Sequence, residues 1–181
     1  MLILAIDTSC DETSVAITEG RKIISNSIYS QAIIHARWGG VVPHLAKRAH
    51  EERIDWVIGE TLKKLKIKNE KLKIKKIDYI AVTYGPGLAP ALEVGVNKAK
   101  ELAQKYDKKI IPINHMEGHI YSCFAQNSKG NPQRDFDFPY IAFLISGGHT
   151  QLVLFTAHLT YQIIGETVDD AAGESLDKAA K

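Results

Sequence analysis

Short apolar segments separated by polar turns occupy the first thirty residues. Residues 2–6 form a nearly continuous apolar run, typical of a buried strand, and residues 15–17 and 23–29 resume the pattern. Gly20 and Arg21 between the last two segments favour a turn. The pattern therefore predicts a β-meander whose first turn, residues 7–14, is rich in carboxylates and hydroxyls.

Longer amphipathic segments alternate with apolar strands in the rest of the chain. Apolar side chains at helical spacing predict a long helix at residues 44–65. A loop at 84–90, rich in Gly and Pro, leads into a second predicted helix at 91–105. Further strands are predicted at 77–83, 109–113, 140–145, 151–155 and 161–165, with loops at 35–43 and 126–138 and a helix at the end of the chain.

The order of these elements predicts an α/β fold of two related lobes, residues 1–108 and 109–181. The first lobe has the order β-β-β-α-β-α, and the second begins a similar series around a polar turn at 146–150. Two such lobes facing each other would place both polar turns on one cleft suited to a nucleotide phosphate. Because the last helix ends without a capping Gly or Pro, we expect the second lobe to be incomplete and the chain to be a fragment.

Two histidines four residues apart, His115 and His119, are the leading candidates for metal binding. On an α-helix they fall on one face, about one turn apart, and such a pair can hold one metal ion. Asn114 is placed to cap this helix, and Glu117 completes a capping-box spacing. The alternative is an ordinary pair of surface histidines. We expect His35, His44 and His50 on or near the solvated side of the helix at 44–65, not as ligands.

From its composition and charge, we expect a soluble cytoplasmic protein. The chain is 45% hydrophobic and 24% charged, which are globular values, and its net charge of +2 indicates no particular partner. Two cysteines and the absence of a signal peptide favour a reducing compartment. Eight lysines lie within residues 63–76. Such a run can steer RNA phosphates, although a solvated helix end is the commoner explanation.

Six motifs, in order along the whole chain, together resemble the TsaD/Gcp family. None is specific alone, but their joint occurrence is. They are residues 6–13 (IDTSCDET), 35–52, 85–88 (GPGL), 114–119 (NHMEGH), 146–151 (SGGHTQ) and 169–181.

The resemblance implies an actin-like ATPase fold of ribonuclease H-like lobes, here one full lobe plus the first half of the second. It implies transfer of a threonylcarbamoyl group from threonylcarbamoyl-adenylate to N6 of the adenosine beside the anticodon, in tRNAs that read codons beginning with A. It also implies one divalent metal ion, iron or zinc, and an adenylate substrate or ATP. The expected partners are tRNA, a paralogous scaffold subunit and a P-loop ATPase.

The resemblance also assigns roles to individual residues. His115 and His119 match the metal ligands, and Asp11 and Glu12 match the acidic pair near the reacting group. The residues matching substrate-binding positions are Leu144, Ile145, Ser146, Gly147, Gly148 and Asp177.

Two departures from the family pattern affect the expected metal site. Leu144 stands where the archaeal and eukaryotic branch has a tyrosine ligand, so the chain resembles the bacterial branch. The family's last metal-binding aspartate and a substrate-binding asparagine lie in a C-terminal part that this chain lacks. Cys123, one helical turn after His119, could fill in, but the family does not use it, and we expect a buried or half-buried free thiol.

General chemistry supports a carboxylate base, and two rival functions stay open. The adenosine amine is a poor nucleophile, so a nearby base would help, and Asp11 is the candidate. A metallopeptidase, the older assignment of this family, is the first rival, but Glu117 follows His115 by two residues and points away from the metal face. A non-catalytic scaffold or sugar-kinase-like ATPase is the second, and the paired histidines argue against it.

Overall fold

The computed structural model describes residues 1–65 and 74–180, which form two compact units. The first unit comprises Met1–Gly118 and Phe124–Gln133, and the second comprises His119–Cys123 and Arg134–Lys181. Most of the lysine run at 63–76 lies outside the described residues, so its predicted RNA contact stays a prediction. Within the described part of the chain, no helix is both long and apolar enough to cross a membrane.

Five strands form the sheet of the first unit: β1 (Leu2–Asp7), β2 (Glu12–Glu19), β3 (Lys22–Ser30), β4 (Tyr79–Gly85) and β5 (Lys109–Asn114). Their order in the sheet is β3-β2-β1-β4-β5. β1, β2 and β3 pair antiparallel, which confirms the predicted meander. β4 pairs parallel with β1, and β5 pairs parallel with β4. The C-terminal ends of β1, β4 and β5 therefore lie at the same edge of the sheet.

The described residues of the first unit include the helices α1 (Ala32–Ala36), α2 (Pro43–Lys63) and α3 (Ala89–Tyr106). A proline stands in the first turn of both long helices, where its missing N–H costs no hydrogen bond. Both helices contact the sheet and each other. Leu4, Ile6 and Val15 of the sheet meet Val57 of α2 in the core, and all four are at most 2% exposed.

β5 corrects the predicted boundary between the lobes. A division after residue 108 would assign this strand to the second lobe, yet its partner is β4, from Tyr79↔Lys109 to Gly85↔Asn114. The segment β4-α3-β5 is a βαβ unit, in which a helix connects two parallel strands of one sheet. The sequence pattern could not show which sheet a short apolar strand would join.

A three-stranded antiparallel sheet forms most of the second unit: β6 (Tyr140–Ile145), β7 (Thr150–Ala157) and β8 (Thr160–Glu166). A short helix, α5 (Ala172–Ala179), follows it. Because successive side chains of a strand alternate between faces, Leu144, Val153 and Phe155 are buried on one face of the sheet. On the opposite face the three large apolar side chains of β6 are about 60% exposed: Ile141 60%, Phe143 61% and Ile145 58%.

The helix α4 (His115–Ser122) joins the two units, since the division of the chain falls within it. It begins at His115, as the spacing of the histidine pair predicts. It ends before Cys123, which is exposed, so the expectation of a buried or half-buried thiol at this position is wrong.

Of the three histidines expected on or near the solvated side of the long helix, two are buried, so the prediction is wrong for them. His50 is fully buried and His35 is 4% exposed, whereas His44 is exposed as expected. Both buried rings have polar partners. Nε2 of His35 lies 3.1 Å from Oε1 of Gln31, and the amide of Val42 donates to Nδ1 of His35. Hydrophobic periodicity missed them because a histidine with both nitrogens hydrogen-bonded can be buried at little cost.

Candidate active site

Asn114 starts the helix that carries the histidine pair. Its Oδ1 accepts hydrogen bonds from the amides of Met116, at 2.9 Å, and Glu117, at 3.3 Å. These bonds satisfy two amides that have no partner within the helix, which confirms the predicted N-cap. His115 is thus fixed at the first position of α4, directly after β5.

His115 reaches the C-terminal end of β1. Its Nδ1 lies 3.2 Å from Oδ2 of Asp7, and its Nε2 lies 3.5 Å from Oγ of Ser9. The side chain of His115 is 24% exposed and that of Asp7 is 32% exposed, so the pair is only partly shielded from solvent. The first contact is a hydrogen bond, whereas the second is at the outer limit for one.

Asp7 is held by hydrogen bonds to both of its carboxylate oxygens. The hydroxyl of Thr83 donates to Oδ2 at 2.6 Å, and the amide of Ser9 donates to Oδ1 at 2.8 Å. Burial by itself would raise the pKa of Asp7, but the hydrogen bonds from His115, Thr83 and Ser9 outweigh it and hold that pKa well below its usual range. Asp7 is therefore ionised and can only accept hydrogen bonds.

The donor set at α4 fits two histidine ligands of one metal ion. A metal-binding histidine usually donates its second ring N–H to a carboxylate or carbonyl, and Asp7 takes that place for His115. His119 follows one helical turn later in α4. Among residues 1–65 and 74–180, no group of three or more His, Cys, Asp or Glu side chains is arranged to hold a metal ion.

The acidic turn between β1 and β2 is tied to the core by His50. Nε2 of His50 donates to the carbonyl of Cys10 at 2.9 Å, and the hydroxyl of Thr13 donates to Nδ1 at 2.7 Å. Since a carbonyl can only accept, Nε2 carries the ring proton. Asp11 is half-buried within the turn, and Glu12 is exposed at the start of β2.

The second polar turn connects β6 to β7. The amide of Ser146 donates to the carbonyl of His149 at 2.8 Å, and the amide of His149 donates to Oγ of Ser146 at 3.0 Å. These bonds close a tight turn whose tip, Gly147 and Gly148, is exposed. A Cβ at Gly173 in α5 would lie 2.8 Å from Cα of Gly147, so the helix packs directly against the turn.

The remaining predicted substrate residues lie in the second unit as well. Leu144 is 8% exposed in β6, Ile145 is 58% exposed at the end of that strand, and Asp177 is exposed on α5. Within this unit the structure thus brings α5 to the Ser146–Gly148 segment.

A family model described as "TsaD: tRNA N6-adenosine threonylcarbamoyltransferase" matches residues 22–181. This chain belongs to the TsaD family. It is 50% identical over 182 aligned residues to tRNA N6-adenosine threonylcarbamoyltransferases from Staphylococcus aureus strains MRSA252 and MSSA476. These alignments cover all of this chain but 50% of each relative, so the chain spans about half the length of the curated relatives it matches.

Solved structures support the fold of the TsaD-family chain. YeaZ from Pseudomonas aeruginosa aligns with a TM-score of 0.54 and 16% identity, covering 92% of this chain and 66% of that one. The ethanolamine utilization protein EutJ from Carboxydothermus hydrogenoformans aligns with a TM-score of 0.54 and 10% identity, covering 97% and 54%. The predicted α/β fold of the actin-like type is confirmed.

The sequence pattern assigns no functional role to four residues of the candidate site: Asp7, Ser9, His50 and Thr83. Parallel strands end at a common sheet edge, and that rule could have placed the last residues of β1 and β4 beside the start of α4. The position of His50 had no comparable signal, because its partners lie on a turn some forty residues earlier in the chain.

Proposed function

We propose that the protein transfers the threonylcarbamoyl group from threonylcarbamoyl-adenylate to N6 of the adenosine beside the anticodon, in tRNAs reading codons that begin with A. The observation that carries this proposal is the 50% identity, over the entire chain, to enzymes named for the activity. Such tRNAs are found in the cytoplasm, so the proposal places the protein there.

The proposal assigns one metal ion, iron or zinc, to His115 and His119. The metal, when bound, would serve as a Lewis acid that polarises the carbonyl of the threonylcarbamoyl group. The support is the donor set: two histidines one turn apart on α4, the first already paired with a carboxylate through Nδ1.

Asp11 is proposed as the general base, with Glu12 as the second member of the acidic pair. N6 of adenosine forms a bond to the carbonyl carbon of the threonylcarbamoyl group, and its proton passes to the Asp11 carboxylate. The bond from that carbon to the phosphate oxygen breaks, and AMP leaves. Support comes from the half-buried place of Asp11 in a turn that His50 anchors.

The turn between β6 and β7 is proposed to hold the phosphate of the adenylate. Backbone N–H groups in a tight turn can bind an anion, and the exposed Gly147 and Gly148 leave room for it, since a Cβ at either would meet nothing within 4 Å. Leu144 and Ile145 lead into this turn, and Asp177 on α5 is proposed as a further contact to the substrate.

The partner proteins expected from the family resemblance, a paralogous scaffold subunit and a P-loop ATPase, stay predictions. The likeness to YeaZ concerns the fold alone.

A transfer assay on the protein at its natural length, with its partner proteins present, tests the proposal. Labelled threonylcarbamoyl-adenylate and the target tRNA should give labelled tRNA. Loss of a general base typically slows a reaction by about 10²–10⁴-fold, and we expect that loss for Asp11→Asn. Glu19→Gln, an exposed carboxylate at the other end of β2, is the matched control. No transfer by the parent protein would overturn the proposed function. Full activity of Asp11→Asn would rule out Asp11 as the general base.

A further inference from the structure

Asp7 is positioned to decide which nitrogen of His115 carries the ring proton. An ionised carboxylate only accepts hydrogen bonds, so Nδ1 of His115, 3.2 Å from Oδ2, must be the donor. In the neutral ring the lone pair then lies on Nε2. The hydroxyl of Ser9 lies 3.5 Å from Nε2, at the outer limit for a hydrogen bond.

The hydrogen bonds around Asp7 keep its carboxylate in this orientation. The amide of Ser9 fixes Oδ1 at 2.8 Å, and the hydroxyl of Thr83 fixes Oδ2 at 2.6 Å. These donors come from the residues that follow β1 and from the end of β4, two neighbouring strands of the sheet. The carboxylate oxygen that faces His115 therefore has a rigid support.

We propose that Asp7 is the positioning residue of His115, selecting the Nδ1–H tautomer so that Nε2 is presented to the metal ion. This inference rests on the proposed function, because it assumes that His115 is a metal ligand. Asp7 itself contacts neither the metal nor the substrate in this scheme. It acts through the ring of His115.

The Ser9 amide makes Asp7→Asn an unusually sharp test. That amide can only donate, so the side-chain oxygen of the new asparagine must occupy the place of Oδ1. The NH₂ group then faces His115 in the place of Oδ2, where it donates to Nδ1. The ring proton is forced to Nε2, and the nitrogen that should bind the metal loses its lone pair. An Asp→Asn change that alters a histidine tautomer in this way is known from the serine-protease triad.

The matched control is Thr83→Val, which removes another hydrogen bond to the same carboxylate oxygen. It leaves an acceptor-only carboxylate facing His115, so the tautomer should not change. Any general loosening of this sheet edge would affect both variants, whereas a change of tautomer is specific to Asp7→Asn.

Two measurements on the protein at its natural length test the proposal. Nitrogen NMR of histidine-labelled, metal-free protein identifies the tautomer, with the His115 signal assigned by its loss in His115→Gln. Competition with a chromophoric chelator measures the zinc affinity, and His115→Gln gives the background. Loss of a side chain that orients a metal-binding histidine typically weakens metal binding by about 10–100-fold, which we expect for Asp7→Asn. Thr83→Val loosens the carboxylate but keeps it as an acceptor, so its loss of zinc affinity should be clearly smaller.

Each result has a definite meaning. An Nδ1–H ring in the parent, an Nε2–H ring in Asp7→Asn and the expected loss of zinc affinity support the proposal. An Nε2–H ring in the parent, unchanged zinc affinity in Asp7→Asn, or an equal loss in Thr83→Val overturns it. No zinc binding by the parent overturns both this inference and the proposed metal. Failure of transfer by a protein that binds zinc in the expected pattern overturns the proposed function alone.

Discussion

Nδ1 of His50 lies 2.7 Å from Oγ1 of Thr13, and both side chains are fully buried. The contact joins the middle of α2 to the start of β2, and the other ring nitrogen of His50 binds the carbonyl of Cys10. The acidic turn is thereby attached to the helix layer at two points. A buried, neutral histidine at such a junction makes the stability of the first unit depend on pH.

The first prediction concerns that pH dependence. Burial lowers the pKa of His50, although its hydrogen bond to Cys10 works the other way. The folded state therefore excludes a proton that the unfolded chain binds below about pH 6.5. The free energy of unfolding should fall as the pH drops through that range. Measured between about pH 5 and 8, the difference between the parent and His50→Gln should be largest at the alkaline end and shrink towards the acid end.

At neutral pH we expect His50→Gln to cost about 1–3 kcal/mol, because it leaves buried polar groups without their partners. His44→Gln, an exposed histidine on the same helix, is the control and should change little. A difference between parent and His50→Gln that stays constant with pH would contradict the assigned protonation of His50.

The second prediction compares two helical glycines. A Cβ at Gly95 in α3 would lie 2.5 Å from Oγ1 of Thr8, which binds the amide of Gly95 and the carbonyl of Ala91. Gly95→Ala should therefore destabilise the protein by about 1–3 kcal/mol in denaturant unfolding, the usual cost of overpacking. Gly59 in α2 has nothing within 4 Å of its added Cβ, and Gly59→Ala should stabilise by about 0.5–1 kcal/mol. Equal effects of the two changes on the free energy of unfolding would contradict the close contact between Gly95 and Thr8.

The third prediction concerns the reactivity of Cys10. Although the residue is exposed, partial burial of its thiol and the neighbouring charge of Asp11 raise the pKa of Cys10 to about 11. A thiolate is the reactive form, but a higher pKa also makes it more nucleophilic, so the net effect at about pH 8 is a roughly tenfold slower alkylation than in an unfolded peptide. Iodoacetamide kinetics on a Cys123→Ser background measure it. Asp11→Asn should speed the reaction, and an unchanged rate would mean that Asp11 does not influence the thiol.

The fourth prediction links α5 to the proposed adenylate site. A Cβ at Gly173 would lie 2.8 Å from Cα of Gly147 and from the carbonyl oxygen of Ser146. Gly173→Ala should displace the turn and weaken AMP binding by about tenfold or more, as expected when charge-assisted hydrogen bonds are lost. Calorimetry on the protein at its natural length measures this. Gly165→Ala in β8 is the control, because its Cβ would meet Leu152 at an ordinary 3.7 Å. Equal AMP affinity of the two variants would show that the packing of α5 against the turn does not affect nucleotide binding.

Hydrophobic periodicity predicted most elements of this fold to within a few residues. The strand at 140–145 is correct at both ends, and the long helix is found at Pro43–Lys63 against a prediction of 44–65. Local patterns suffice here because the strands are strongly apolar and the long helix is amphipathic. Sheet membership is harder to predict: a division after residue 108 separates β5 from its partner β4, because pairing depends on contacts distant in sequence.

In the candidate site, too, contacts between residues close in sequence are predictable and contacts between distant residues are not. The cap by Asn114 was predictable because its two hydrogen bonds reach only two and three residues ahead. The Asp7–His115 pair joins residues 108 positions apart, and only the parallel arrangement of β1, β4 and β5 brings them together. The family resemblance points to His115, but it gives no information about Asp7, whose carboxylate lies 3.2 Å from the ring.

The open face of the three-stranded sheet has a practical consequence for handling the chain in solution. Ile141, Phe143 and Ile145 form a row of large apolar side chains on the edge strand β6. Exposed apolar edge strands are frequent starting points of aggregation, because another chain can add to the sheet. Preparations of this length should bind hydrophobic dyes and sediment as mixed species that depend on concentration. A lysine in place of Phe143 is the simplest change to restore colloidal stability.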